Sequence, residues 1–293
     1  MAKKLITDTK RGILTLKRLI KAYNDKNFFN LVKLPEEILP ENLEKGTNAH
    51  LLFLTLVSSI GYLRKEELLW NAARETYEDD DLRYLFFPDQ ILNHPLEKIE
   101  HDLKEWSLLL SLKSIKNDKI KFKSVDRRTI KENDLAIWIN MSNLLKTYDS
   151  SVVKLLEAYD MDALKIIDVF TQVPLENCFP NYQKKEKIII WLLRLKEDES
   201  LPIINFDKIP MPVNYHVIRA TCFSGSVTGI ANSIESDIPK LIAEYWFEMV
   251  EDKDYDLNLN PIEFERYLWL LSKYGCSKGR QGYNCSFTKD CPV

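Results

Sequence analysis

The sequence predicts an all-α protein. Apolar residues recur mostly at intervals of three and four, the spacing that gathers them on one face of a helix. Alternating apolar and polar residues, the pattern of a half-buried strand, are scarce. With 293 residues, 45% of them hydrophobic and 29% charged, the chain has the composition of a globular protein. This length is enough for one large domain or two lobes that share an interface.

The predicted elements follow one another along the chain. The N-terminal segment has helical periodicity, and Asp160 is a predicted cap for one later helix. Lysine alternates with Ile and Phe over Leu112 to Val125, which favours a small β-hairpin. We identify no internal repeat. The later helices are predicted over Thr47 to Tyr62, Glu66 to Tyr77, Leu96 to Ser111, Asn133 to Tyr148, Ser151 to Ala158, Met161 to Thr171, Lys184 to Lys196, Asn214 to Gly225, Ser236 to Val250 and Pro261 to Tyr274.

Prolines set several of these boundaries. Proline lacks a backbone N–H and restricts the residue before it, so Pro202, Pro210 and Pro212 exclude helix until after Val213. Pro261 lies where proline is favoured, at a helix start.

Charge and targeting signals narrow the function classes. The net charge of -3 does not mark the chain as a nucleic-acid binder, and its lysine-rich runs are typical of solvated surface. The start, Met1-Ala-Lys-Lys, has no apolar core of a signal peptide, and no window is apolar enough to span a membrane. We therefore expect a cytoplasmic or nucleoid-associated monomer.

Three of the five cysteines crowd into the C-terminal tail. Cys276, Cys285 and Cys291 are spaced C-x8-C-x5-C. In a reducing compartment such crowding is better explained by metal or cluster ligation than by disulfides. The tail is therefore predicted to be a metal-binding loop, with unligated cysteines as the alternative.

Three stretches together resemble a known superfamily. Phe179-Pro180 precedes a lysine-rich helix start, P-V-N-Y-H-V-I-R follows over Pro212 to Arg219, and the cysteine tail closes the chain. This order resembles the helix-hairpin-helix DNA glycosylases of the endonuclease III type, from roughly Asp160 to the C-terminus. The resemblance implies a two-lobed helical fold with a pocket for a flipped base between the lobes. Residues 1–150 would form an N-terminal helical region and 151–293 the glycosylase-like region, and the two could pack as one unit.

The resemblance also implies site residues. Its catalytic lysine, which attacks C1′ of the sugar and forms a Schiff base, falls on Lys185 or Lys187. Its catalytic aspartate falls on Asn214. The side chains that would meet DNA phosphates are Lys184, His216, Arg219 and Arg280. The alternatives are a solvated helix face for the lysines, a cap for the histidine and an internal ion pair for Arg219.

Two departures from the family pattern affect the predicted chemistry. Asn214 is neutral and cannot supply the negative charge that stabilises an oxocarbenium-like sugar. The nearest upstream carboxylate is Asp207. The hairpin also lacks the glycines that let backbone N–H groups approach a phosphate. The chain is then a divergent glycosylase, a binding protein on the same scaffold, or a variant in which Asp was replaced by Asn.

The family's tail holds a [4Fe–4S] cluster through four cysteines, of which this chain's tail keeps three. Gly282 stands where one cysteine is expected. The better candidate for the fourth thiolate is Cys222, and Cys178 is the alternative. Zinc would accept the same ligands in tetrahedral geometry.

These observations lead to one expected function and two alternatives. The first is a DNA base N-glycosylase with AP lyase activity, acting on duplex DNA with a damaged base or an abasic site. The second is a non-catalytic nucleic-acid binding module on the same scaffold. The third is a helical protein in which the metal has only a structural role.

Overall fold

The structure is a computed structural model that describes residues 6–24, 34–61, 66–105, 113–116, 119–122, 134–179, 185–197, 200–228, 238–251 and 262–276. These residues are mostly helical, which confirms the all-α class. The strands are β1 (Ile6–Thr7), β2 (Lys113–Lys116), β3 (Lys119–Phe122) and β4 (Val227–Thr228). The helices are α1 (Thr9–Asn24), α2 (Asn48–Ser59), α3 (Glu66–Glu78), α4 (Pro88–Ile91), α5 (Leu96–Glu105), α6 (Asp134–Thr147), α7 (Val152–Glu157), α8 (Ala163–Val169), α9 (Glu186–Glu197), α10 (Tyr215–Phe223), α11 (Ile238–Glu251) and α12 (Phe264–Leu270).

Shorter turns complete the described chain. A π-helical turn, Leu271–Cys276, continues α12 without a break. Strands β2 and β3 pair antiparallel, with Lys113 opposite Phe122, so the predicted hairpin is confirmed. Turns of 3₁₀ helix lie at Pro35–Glu37, Arg83–Phe86, Leu175–Cys178 and Phe206–Lys208.

Capping residues explain where several helices begin. Thr47 and Ser151 each accept a hydrogen bond from a backbone N–H of the first turn of α2 and α7, respectively. The predicted cap at Asp160 is wrong. Asp160 and Met161 both adopt left-handed backbone conformations, with φ of 58° and 52°, which extends the turn. The cap is therefore Asp162, whose carboxylate accepts from the first turn of α8.

The chain forms two compact units. Unit 1 contains Met1–Val32 and Asn205–Val293, and unit 2 contains Lys33–Ile204. The predicted division near residue 150 therefore lies inside unit 2. The N-terminal segment belongs with the C-terminal elements because β1 pairs with β4. It also packs there through α1, where Gly12 leaves no room for a side chain beside Tyr245.

Unit 2 is built around α2, which is buried on nearly every side as a central helix must be. The indole of Trp191, on α9, donates to Thr55 Oγ1 over 3.0 Å, and that of Trp138, on α6, donates to the Leu85 carbonyl over 2.9 Å. Both tryptophans thus bury their rings and satisfy their N–H groups.

Unit 2 also contains a short tandem repeat that our sequence analysis missed. The segments 148–158 and 159–169 both follow the pattern Y-D-x-[SD]-x-x-K-[LI]-[LI]-[ED]. Each begins with a Tyr and an Asp, places two successive residues in the left-handed region, and caps the next helix. The hydroxyls of Tyr148 and Tyr159 lie 3.2 Å apart.

In unit 1, α10 packs against α11, α12 and the π-helical turn. Trp246, on α11, donates to Thr221 Oγ1 over 2.9 Å and fixes α11 against α10. The side chains of five tryptophans are buried, namely Trp70, Trp138, Trp191, Trp246 and Trp269. Within the described ranges, none of the helices combines the length and the apolar character that a membrane crossing requires.

Candidate functional site

The first candidate site is the start of α9, where the catalytic lysine is expected. Lys184 lies outside the described residues. Lys185 immediately precedes α9, is exposed to solvent, and accepts a hydrogen bond at its carbonyl from the N–H of Ile189 over 2.9 Å. Its φ of 56° lies in the left-handed region, which costs a residue with a side chain on the order of 1 kcal/mol. Strain of this kind occurs at functional positions and also at turns, as at Asp149 and Asp160.

Lys187 has different surroundings. It is half-buried and lines a small cavity in unit 2, together with Glu36, Glu66 and Arg194. Arg194 Nε lies 2.9 Å from a carboxylate oxygen of Glu36, and the two side chains are only 8% and 11% exposed. The cavity has a volume of about 40 Å³. It would hold a few water molecules but not a nucleobase.

The second candidate site is the start of α10. Asn214 caps this helix, as its position in the sequence predicts: its Oδ1 accepts from the backbone N–H groups of His216 and Val217 over 2.9 and 3.1 Å. Its Nδ2 donates to Glu265 Oε1 over 2.8 Å. Both ends of the amide are engaged, which fixes the side chain in one orientation.

Glu265 is the acidic residue that our sequence analysis missed. It lies on α12, is 2% exposed, and touches Asn214 from the interior of unit 1. The sequence carries a signal of it, since Glu265 shares a helical face with Leu268 and Trp269, at i+3 and i+4. A carboxylate within an otherwise apolar stripe has to be buried with a partner.

Asp207, the nearest carboxylate upstream of Asn214 in the sequence, is not the buried partner of Asn214. It is an exposed residue of the 3₁₀ turn Phe206–Lys208, and the neighbouring Lys208 Nζ bonds Asn205 Oδ1 over 2.8 Å. The buried carboxylate beside Asn214 comes instead from a helix 51 residues further along the chain.

The side chain of His216 is half-buried against the same helix. Its Nδ1 lies 3.2 Å from the hydroxyl of Ser272, in the π-helical turn. Its ring contacts Trp269 with the centroids 5.5 Å apart, and Lys273 Nζ lies 4.3 Å from the Trp269 ring. A π-helical turn inside a helix is frequently associated with function. These contacts hold the first turn of α10 in place.

Arg219 and Tyr215 lie on α10 as well. The guanidinium of Arg219 stacks over the Phe223 ring at 5.1 Å, one helical turn away. Tyr215 is 69% exposed next to Asn214, so an aromatic ring faces solvent at this helix start. Our sequence analysis did not single out Tyr215.

The cysteines divide between the two units. Cys222, on α10, is half-buried, and Cys276 ends the π-helical turn that packs against α10. Cys178 is buried in unit 2, and burial raises the pKa of its thiol to about 12. Burial also raises the pKa of Cys222. Cys222 and Cys276 belong to unit 1, whereas Cys178 belongs to unit 2.

The other predicted ligands, Cys285 and Cys291, lie outside the described residues, as does Arg280. Among the residues that are described, no three or more His, Cys, Asp or Glu side chains are arranged to hold a metal ion. No protein-family model matches the chain, and no curated protein matches it significantly.

Proposed function

We propose that the chain is a divergent DNA base N-glycosylase with AP lyase activity, in which Lys185 is the nucleophile. The observation that carries the proposal is the pairing of Asn214 with the buried carboxylate of Glu265, inside the segment that resembles the family's catalytic motif. A negative charge near the reacting sugar is what N-glycosidic bond cleavage requires.

Lys185 is the better of the two candidate lysines because it is exposed and its helix start carries backbone strain. Lys187 shares its cavity with Glu36, Glu66 and Arg194, and that cavity is too small for a base. A nucleophile must reach C1′ of a nucleotide that has left the duplex, so a solvent-facing position suits it.

The reaction has two stages. The neutral Lys185 amine attacks C1′, the glycosidic bond breaks, and the base leaves with its electron pair and takes up a proton. The C1′–O4′ bond then breaks, and O4′ takes up a proton from water. The resulting iminium ion on Lys185 permits loss of a C2′ proton and elimination of the 3′ phosphate. On an abasic site the same iminium forms from the sugar aldehyde with loss of water.

A metal group at the tail would stabilise this unit. Cys222, Cys276, Cys285 and Cys291 would hold a [4Fe–4S] cluster, with zinc as the alternative. The cluster would supply a rigid support for the C-terminal segment and for Arg280, close to the phosphate backbone.

The lysine assignment is tested by borohydride trapping on a duplex with one abasic site, a substrate that needs no knowledge of the excised base. Wild type is expected to form a covalent adduct, Lys185→Ala to form none, and Lys187→Ala to retain it. The same adduct yield from Lys185→Ala as from wild type would overturn the assignment.

The competing function is a non-catalytic nucleic-acid binding module. One observation favours it: Glu265 is buried behind the amide of Asn214, and Asn214 is neutral. A wild-type protein that binds abasic duplex at low salt without forming an adduct or cleaving it would establish this alternative. No binding to duplex or single-stranded DNA would exclude both functions.

The cluster assignment is tested by iron analysis of protein purified without oxygen. About four irons per chain and a broad band near 400 nm are expected for wild type and for Cys178→Ser, and a clear loss for Cys222→Ser. Equal iron content in the two variants would contradict Cys222 as a ligand.

A further inference from the structure

We infer that the outward face of α10 binds an unpaired nucleotide of single-stranded DNA: Tyr215 stacks on the base, and Arg219 bonds the neighbouring phosphate. Both residues belong to unit 1, so the site lies within one compact unit. The inference rests on the proposed function only in taking DNA as the strand. It goes further because it names the form of DNA that unit 1 binds, and it does not depend on the lysine chemistry.

The base-stacking surface is the ring of Tyr215, the first residue of α10, whose side chain is 69% exposed. On its inner side this ring contacts that of His216, with the centroids 5.6 Å apart, and His216 contacts Trp269 at 5.5 Å. Trp269 is buried, so the row of rings runs from the interior of unit 1 to its surface. An exposed ring that is supported in this way can stack on any base, because every base has a π face.

The phosphate contact comes from Arg219, which lies four residues after Tyr215 on the same face of α10. Four residues rise about 6 Å along a helix, so the two side chains follow each other along one side of α10. The guanidinium stacks over the Phe223 ring, with Cζ 5.1 Å from the ring centroid. Phe223 thus supports a flat group whose paired N–H donors match the oxygens of a phosphate.

This arrangement favours a nucleotide over a free anion. The backbone N–H groups of His216 and Val217 already donate to Asn214 Oδ1, so the phosphate contact falls to Arg219 rather than to these two groups. A ring and a guanidinium one helical turn apart match the two parts of a nucleotide, a flat base and a charged phosphate. Bases inside a duplex are stacked on one another, so Tyr215 can reach only a base that has left its pair.

The stacking contact is tested by the fluorescence anisotropy of a labelled single-stranded oligonucleotide at low salt. Tyr215→Leu keeps an apolar side chain but removes the ring, and it is expected to weaken binding roughly five- to a hundredfold, the scale of one lost base stack. Tyr215→Phe keeps the ring and should bind like wild type. Since the side chain is exposed, both variants are expected to fold.

A second strand separates stacking from charge. In this strand every base is replaced by a stable abasic analogue, which carries neither a π face nor an aldehyde. Wild type and Tyr215→Leu are expected to bind it equally.

The phosphate contact is tested by the salt dependence of binding. Arg219→Gln should weaken binding to both strands and reduce the slope of log affinity against log salt by about 0.7, the value for one phosphate contact on a single strand. Arg219→Lys should keep most of that slope. Lys240→Gln removes one exposed charge from α11 of the same unit and serves as the matched control, which should bind like wild type.

Equal binding of the normal strand by wild type and Tyr215→Leu would overturn the inference, and it is the result expected if Tyr215 instead contacts a protein. An equal loss on both strands, or no binding of the normal strand by wild type, would overturn it as well. The proposed function can fail separately. Ring-dependent binding without a borohydride adduct would remove the lysine chemistry and keep the inference, whereas an adduct with unchanged binding in Tyr215→Leu would do the reverse.

Discussion

The two helix starts differ in how their first residues are held. At α9, Lys185 is exposed and adopts a left-handed backbone conformation. Its side chain has no oxygen with which to cap the helix. At α10, Asn214 bonds two backbone N–H groups and a buried carboxylate, and His216 packs against α12. A nucleophile has to move to its target, whereas a stabilising charge has to stay in place. Under the proposed glycosylase function, the exposed lysine before α9 would be the reactive group, and the buried carboxylate beside α10 would be the fixed charge.

The largest expected difference between the two helix starts is in how far an alanine substitution lowers the free energy of unfolding. Asn214→Ala removes a helix cap and leaves the buried Glu265 without one of its donors, which together should lower the free energy of unfolding by about 2–4 kcal/mol. Lys185→Ala should change it by less than about 0.5 kcal/mol, as expected for an exposed side chain. Denaturant unfolding measures both.

Asp162→Ala is the control for the cap alone. Asp162 caps α8 through its carboxylate, so its loss should cost about 1 kcal/mol. Equal losses for Asn214→Ala and Asp162→Ala would mean that the bond to Glu265 contributes nothing.

The next largest effect is a pH-dependent loss of stability in the Asn214→Asp variant. Two carboxylates in contact raise the pKa of one of them above its value in the unfolded chain, near 4. The folded variant then binds more protons than the unfolded chain, so its stability relative to wild type should fall as pH rises, by about 1.4 kcal/mol for each unit of pKa shift.

Thermal melting from about pH 4 to pH 8 measures this difference, since the second proton is lost in that range. The exchanged pair, Asn214→Asp with Glu265→Gln, should remove most of the pH dependence. If the Asn214→Asp variant had the same melting temperature as wild type at every pH, the carboxylates at positions 214 and 265 would not interact electrostatically.

The smallest effect concerns the backbone at Lys185. Lys185→Gly relieves the left-handed strain and should stabilise the protein by about 0.5–1 kcal/mol, while removing the nucleophile. Lys187→Gly, inside the helix, should instead destabilise it by about 1 kcal/mol. Opposite signs, measured by denaturant unfolding, are the expected result. A loss of stability in Lys185→Gly would contradict the strained start of α9.

The features that could be predicted from the sequence are those that depend on contacts between residues close together in the chain. A cap such as Asn214 can be recognised from the sequence because capping involves only the next few residues. Glu265 was missed because its contact with Asn214 joins residues 51 apart, and no local pattern pairs them. The division into two compact units also depends on contacts between distant residues, since β1 near the N-terminus pairs with β4 near residue 228.

Two errors had local causes. The cap of α8 was placed at Asp160 because either aspartate could serve, and only the backbone geometry decides between them: two left-handed residues move the cap to Asp162. The repeat over 148–169 escaped notice because just a few positions recur, namely the Tyr-Asp pair, the cap and the lysine.

The measurement that tests the central claim most directly is the site of the borohydride adduct. Wild type is reacted with abasic duplex, reduced and digested, and the modified peptide is sequenced by mass spectrometry. The sugar remnant is expected on Lys185, just before α9. A remnant on Lys187 or another lysine, or no adduct from protein that binds the duplex, would contradict the account.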